Sequence, residues 1–445
     1  MEAFFIILTV SIALSYGWGM RGSLIGCERG AVLPGALLGT FLALFSGSEI
    51  IAENFWIFAA VGGVSMAYGG AHTYGQTIGF IIHRGKEDYD PKCGYTGVAV
   101  KGGLWHGISG AVLGIMFSAA GGKYYSPLSI IIFSALFPVM QYIGELIFNR
   151  PYNKAEKRFP KIYFSIDRRE EWGSNLTALI ALLIFTLLHN DYYSFFFALT
   201  GIIGGAAGFT IGMVLYELID RPMKNGKFIF GKYTDCVSGW KTMELSFGAI
   251  TGIFFAVYFV ATKDTMLKER IETIEANGGI WNPLGNHSTL LAVICAALVI
   301  AVKLLEIPSI KISSHTLDLI QRPFIFGFPL VLALLGNSFS AKLTAFTLIL
   351  YFACEKTVFD RIEKFKSKKV RITVTAVFSI IAIASLISQI LFEIPIIAYI
   401  LMYTLFYIIT NDITTKHYGK THITVTAYFL LQTAYLIAVS LLCFA

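Results

Sequence analysis

The sequence predicts an all-α, polytopic integral membrane protein of about 14 transmembrane helices, and three observations carry that reading. Hydrophobic residues make up 56% of the 445 positions and charged ones only 14%, too little polar surface for a water-soluble fold of this length. The apolar residues fall in runs of roughly 18 to 25, the length a helix needs to cross a hydrocarbon core of about 30 Å. Lys and Arg collect in alternate loops, as they do in a chain threaded repeatedly through a bilayer.

The runs lie near 3–17, 31–51, 55–83, 99–119, 127–149, 173–189, 194–219, 242–262, 288–305, 323–337, 341–356, 371–391, 394–411 and 423–444. The first, MEAFFIILTV, carries neither a basic region nor a small-residue cleavage site, so it is expected as a retained span with the N-terminus outside. With that orientation, all of the 35 Lys and Arg except Lys123, Lys263, Lys268, Arg270 and Lys342 fall at or near one side. The loops from Arg150 and Glu355 dominate, and the positive-inside rule makes them cytoplasmic, with both termini outside the cytoplasmic membrane. The net charge of +7 is then a topology signal, and no basic patch interleaved with aromatics points to nucleic acid. The six cysteines show no disulfide framework: Cys295, Cys354 and Cys443 lie in spans, and Cys27, Cys93 and Cys236 in cytoplasmic loops where thiols stay reduced.

A polar stretch near 262–288 divides the chain. Residues 1–262 are expected as an eight-helix domain, 263–287 as an extracytoplasmic loop, and 288–445 as a plainer six-helix domain suited to a scaffold or a homo-oligomer face. Within the first part a helical hairpin recurs at about 70 residues. Descending helices end FIIHRG, LIFNRP and ELIDRP; returning ones begin KGGLWHGISGAVLG, REEWGSNLTALIAL and SGWKTMELSFGAITG, with a divergent copy at GWGMRGSLIGCERGAVLPGALLG. Such duplications build many transporters, although convergence on glycine spacing and basic inner ends gives the same look.

Ionisable and polar groups inside spans are costly and tend to face cavities or partners. Here they gather in the first eight spans, toward the inner ends. His72 lies about 18 Å along a helix from Arg84, near the midplane, with Gln76 one turn further on the same face. His106, Glu145, Asn175, Glu217 and Glu244 come closer to the inner boundary. Together they predict a cytoplasm-facing vestibule narrowing at His72. Glycine pairs at Gly62, Gly63 and Gly69, Gly70 permit an unwound segment before His72, or serve close helix packing. Glu145 and Glu217 suit ion pairs with Arg150 and Arg221, or a proton or cation site. Lys241 neutralises Glu244, or joins Arg21 and Lys101 in a positive rim for an anionic solute or headgroup. Trp18, Trp105, Trp172 and Trp240 suit interfacial anchoring, or stacking on a ring.

No CxxC or HxxxH spacing among Cys27, Cys93, Cys236, His83 and His106 supports zinc, so neither metal nor other cofactor is expected. GxxxxGK[ST], GxSxG and HExxH motifs are missing, which argues against nucleotide hydrolysis. The leading expectation is a secondary transporter of a small polar, anionic solute through the first eight spans. It contacts solute through Arg21, His72, Gln76, Lys101, Trp105, His106, Glu145, Trp172, Asn175, Glu217, Trp240, Lys241 and Glu244. The alternative is a membrane-embedded transferase or hydrolase acting on a lipid or lipid-linked substrate, with His72, His106, Glu217 and Glu244 catalytic. The weakness of transport is the outer half, which offers only Ser46, Ser48, Glu49, Glu53, Ser65 and Ser118.

Overall fold

The structure is a computed structural model, and it describes residues 1–21, 28–69, 75–149, 162–164, 172–220, 239–304, 328–336 and 423–444. All regular structure among them is helical. In chain order the helices are α1 (Glu2–Arg21), α2 (Val32–Leu44), α3 (Glu49–Glu53), α4 (Phe55–Gly69), α5 (Gly75–Ile82), α6 (Pro91–Ala119) and α7 (Pro127–Gly144). They continue with α8 (Trp172–Leu188), α9 (Tyr192–Asp220), α10 (Gly239–Thr262), α11 (Met266–Ala276), α12 (His287–Leu304), α13 (Phe328–Leu335) and α14 (Ile423–Phe444).

Five of these are long and apolar enough to cross a membrane: Glu2–Met20, Pro91–Ala119, Pro127–Asn149, Tyr192–Asp220 and Gly239–Thr262. The chain is a multi-pass membrane protein on that ground. The fourteen helices are not fourteen spans: α3 is one short turn and α11 is an amphipathic helix inside the stretch read as a loop. The expected spans near 341–356, 371–391 and 394–411 lie outside the described residues.

Helix starts follow local chemistry. Asp90 caps α6 by accepting from the backbone N–H of Cys93 (3.1 Å) with Pro91 in the first turn, so the DPKC element is a helix cap. Ser126 does the same for α7 before Pro127, accepting from Ser129 (3.1 Å). Inside α7, Pro138 removes a backbone donor, and the helix runs into a π-helical turn over Glu145–Asn149 that keeps both end residues buried. α7 buries one face through Ile130, Ser134, Phe137, Gln141 and Gly144, while Leu128, Ile131, Ile132, Leu136 and Val139 are exposed. An outward row of large apolar side chains suits lipid, not water.

Helices α1, α2, α4, α6, α9 and α10 form a closed circuit in which each packs on the next and α10 returns to α1. α7 and α8 pair beside α6, α13 covers α4 and α7, and α14 lies on α1. Glycine makes the circuit tight. A Cβ on Gly62 would sit 2.2 Å from the carbonyl oxygen of Gly35, and one on Gly35 would sit 2.1 Å from that of Gly62. α6 and α9 meet equally closely at Gly102 and Gly205. Gly62 and Gly63 therefore serve packing within a continuous α4, the second of the two uses their sequence left open.

Candidate functional site

Helices α1, α6 and α10 meet across the circuit in an aromatic layer. Trp18 of α1 meets Trp105 of α6 edge-on (4.9 Å between ring centroids) and lies 4.5 Å from Phe247 of α10. His106, wholly buried, sits among them, 5.5 Å from Trp18 and 4.8 Å from Phe247. One ring nitrogen, Nδ1, lies 3.1 Å from the carbonyl oxygen of Gly102, one turn back along α6. Its Nε2 has no hydrogen-bond partner among the described residues. Trp105 donates its indole N–H to Met66 O on α4 (2.6 Å). Trp18 and Trp105 are thus core residues, which corrects their reading as interfacial anchors: their ring area is spent on helix contacts, and the Trp105 N–H on a backbone carbonyl.

Two polar groups flank this layer. On one flank α10 presents Trp240, Lys241 and Glu244. Lys241 Nζ reaches Glu244 Oε2 (2.5 Å) and the carbonyl oxygen of Gly19 (2.7 Å), and Trp240 donates to Glu244 Oε1 (3.0 Å). The i, i+3 spacing brings the two charges together, so Lys241 neutralises Glu244 and ties α10 to α1. On the other flank Asn175 of α8 donates to Gly69 O, the last residue of α4, at 2.7 Å. Gln141 of α7 donates in turn to Asn175 Oδ1 (2.8 Å). Glu145 follows one turn later on the same face of α7 and is fully buried. Gly69 also faces Trp105, which joins this flank to the aromatic layer. Gln141 was not singled out by its sequence, although it lies four residues before Glu145 on the buried stripe.

Lys101, one turn before Trp105 on α6, is fully buried and donates to Thr77 of α5 (2.9 Å), whose hydroxyl donates to Phe164 O (2.7 Å). Trp172 packs on Phe148 and Phe164 and donates to Ile162 O (2.9 Å), fastening the start of α8. Glu217 stands apart, near the C-terminal end of α9. Its partners among the described residues are Arg84, 133 positions away, and the hydroxyl of Tyr95 (2.8 Å); Arg221, the partner expected from the sequence, lies outside the described residues, as does Arg150. That carboxylate holds the Arg84 guanidinium above its ordinary pKa. His72 lies outside the described residues, as do the side chains of Arg21 and Gln76.

The end of the fold where α6 finishes and α9 begins carries a cluster that the sequence did not reveal. Asp191, the residue before α9, is fully buried and accepts from Arg270 of α11 (2.7 Å), Tyr125 (2.7 Å), the Ser194 backbone N–H (3.2 Å) and the Ser194 hydroxyl. Arg270 also donates to Ser118 of α6 (2.7 Å) and to Met266 O (2.6 Å). Its guanidinium lies over the rings of Tyr124 (4.6 Å) and Tyr193 (4.9 Å). Two signals were present: Asp191 stands at the N-cap of an apolar run, and Arg270 falls on the stripe of Leu267 and Ile274 at helical spacing.

Among the described residues no three His, Cys, Asp or Glu side chains gather as a metal site. Comparison with protein-family models, with curated proteins and with solved structures found no match to this chain.

Proposed function

We propose that the chain is a secondary transporter of a small polar, anionic solute that passes through the circuit of α1, α2, α4, α6, α9 and α10. The observation that carries this reading is two buried polar groups on the α6 and α9 pair, each set among aromatic rings. Lys101 and His106 lie at mid-length of α6, and Ser118, Asp191 and Arg270 at the end where α6 finishes and α9 begins. His106 and Ser118 are about 18 Å apart along α6, a large part of a bilayer's thickness. One residue before Ser118, Phe117 touches Phe58 (4.7 Å), Tyr193 (6.3 Å) and Phe259 (6.0 Å) from three other helices. Aromatic rings around buried polar groups are what a gated path needs: the rings exclude water and ions until helices move.

An anionic solute fits the basic rim read from the sequence at Arg21 and Lys101, whereas Arg270 is paired with Asp191. In this reading the membrane is the cytoplasmic one, both termini face outward, and residues 288–445 form the scaffold or self-association part. The test works whatever the solute is. In a cysteine-free background, Ser109→Cys, one turn outward of Trp105 on α6, is treated with a membrane-impermeant thiol reagent in right-side-out and inside-out vesicles. Transport predicts labelling from both sides. Labelling from the inner side alone, together with turnover of a lipid headgroup by the reconstituted protein, would replace transport with the membrane-embedded enzyme.

A further inference from the structure

Where α6 finishes, a cleft of about 600 Å³ opens between the turn after Ala119, the C-terminal end of α11 and the loop beyond it. Pockets that take small molecules run to about 300–1,000 Å³. The walls are fastened by side chain and backbone. Arg270 anchors α11 to Asp191 (2.7 Å) and Ser118 (2.7 Å), and Thr273 and Asn277 continue its stripe at i+3 and i+7. Asn277 donates its amide nitrogen to Gly121 O (2.7 Å), and the Trp281 backbone N–H goes to Ala120 O (2.7 Å). A Cβ on Gly122, whose φ is +69°, would stand 2.8 Å from Trp281 Cδ1, so glycine keeps the space beside the indole clear.

We infer that this cleft is a binding site for a neutral mono- or disaccharide. The charges at its edge are spent on each other: Lys123 donates to Glu269 (2.8 Å), which also accepts from Tyr124 (2.9 Å). Lys123 is the one ionisable side chain among the described lining residues, so an anion or a zwitterion meets no unpaired charge there. What remains is uncharged hydrogen bonding. With its backbone N–H used, Trp281 keeps the indole N–H as a donor, and Asn277 keeps Oδ1 as an acceptor. The Thr273 hydroxyl, which donates to Glu269 O (2.8 Å), keeps its lone pairs. A donor and two acceptors beside an aromatic ring match a sugar, whose hydroxyls give and take hydrogen bonds while its C–H face packs on indole. Saccharide binding does not rest on transport, since the cleft lies beyond the end of α6.

The test uses the full chain in lipid nanodiscs prepared without glycoside detergents, which would compete for such a site. Saturation-transfer NMR is titrated with glucose, galactose, N-acetylglucosamine, maltose and lactose, and with glucuronate and adenosine as charged and flat-ring controls. At least one neutral sugar should bind with a Kd on the order of 1 mM, and both controls about tenfold more weakly or worse. Trp281→Ala removes the ring, and Gly279→Leu adds bulk at a lining position where a Cβ meets nothing within 4 Å. Each should weaken binding about tenfold or more. Gly279→Leu should melt within about 2 °C of the unaltered chain; a much larger fall would deny the open space and overturn the cleft. Failure of every neutral sugar to bind at up to about 20 mM overturns the site. So does glucuronate or adenosine bound as tightly as the best sugar, or sugar binding kept at full strength in either variant. If Trp281→Ala does not fold, Gly279→Leu decides alone.

Discussion

Replacing Asp191 by Ala should be among the most damaging single changes in the described fold. Asp191 is fully buried and receives four hydrogen bonds, one of them from the equally inaccessible Arg270. Asp191→Ala leaves the Arg270 guanidinium in the interior with a hydroxyl, a carbonyl and two tyrosine rings but no anion. Removing one partner of a buried pair costs about 3–5 kcal/mol, because the other charge stays desolvated. Arg270→Met should fall at the lower end of that range, since Tyr125 and Ser194 still donate to Asp191. The double variant Asp191→Ala with Arg270→Met removes both charges and should recover about 2 kcal/mol relative to the sum of the singles. In detergent, thermal unfolding should read Asp191→Ala as a fall on the order of 5–10 °C. The reasoning fails if Asp191→Ala costs under about 1 kcal/mol, or if the double variant loses as much as the two singles added together.

Two further outcomes test packing and surface charge. Gly62→Ala places a carbon 2.2 Å from Gly35 O and must push α2 from α4, costing about 1–3 kcal/mol, whereas Gly279→Ala, with open space around it, should change melting little. Equal melting of the two variants would count against the close contact of α2 and α4. On the exposed face of α11, hydrogen bonds from Lys123 and then Tyr124 hold the Glu269 carboxyl below its usual range. A lowered folded-state value means stability that is complete above the ordinary carboxylate pKa and lost as pH falls through the lowered one. The melting advantage of the unaltered protein over Glu269→Gln should therefore be small, because both partners are half exposed, and should vanish between about pH 5 and pH 3. A difference that ignores pH would refute the pairing.

How far the sequence could be read depends on the distance over which each feature is encoded. α6, α9, α10 and α14 lie within a few residues of the expected runs apart from the start of α6, because apolar length and caps such as Asp90 before Pro91 are local signals. The Lys241–Glu244 pair was legible for the same reason, being one turn apart on a single helix. The Glu217–Arg84 pair was not, because its two residues stand 133 positions apart. His106 could be flagged as costly inside a span, but its encirclement by Trp18 and Phe247 depends on α1 and α10 meeting α6 across the circuit.

The sequence by itself determined that the chain is helical, apolar and multi-pass, and that its polar residues favour the first eight runs, since hydrophobic length and charge cost act residue by residue. Only the tertiary structure decided which polar groups share a site. It joined Asp191 to Arg270 over 79 positions and Asn175 to Gly69 over 106. The physical reason is that helix pairing is set by glycine contacts such as Gly35 with Gly62 and Gly102 with Gly205, whose partners no local pattern names.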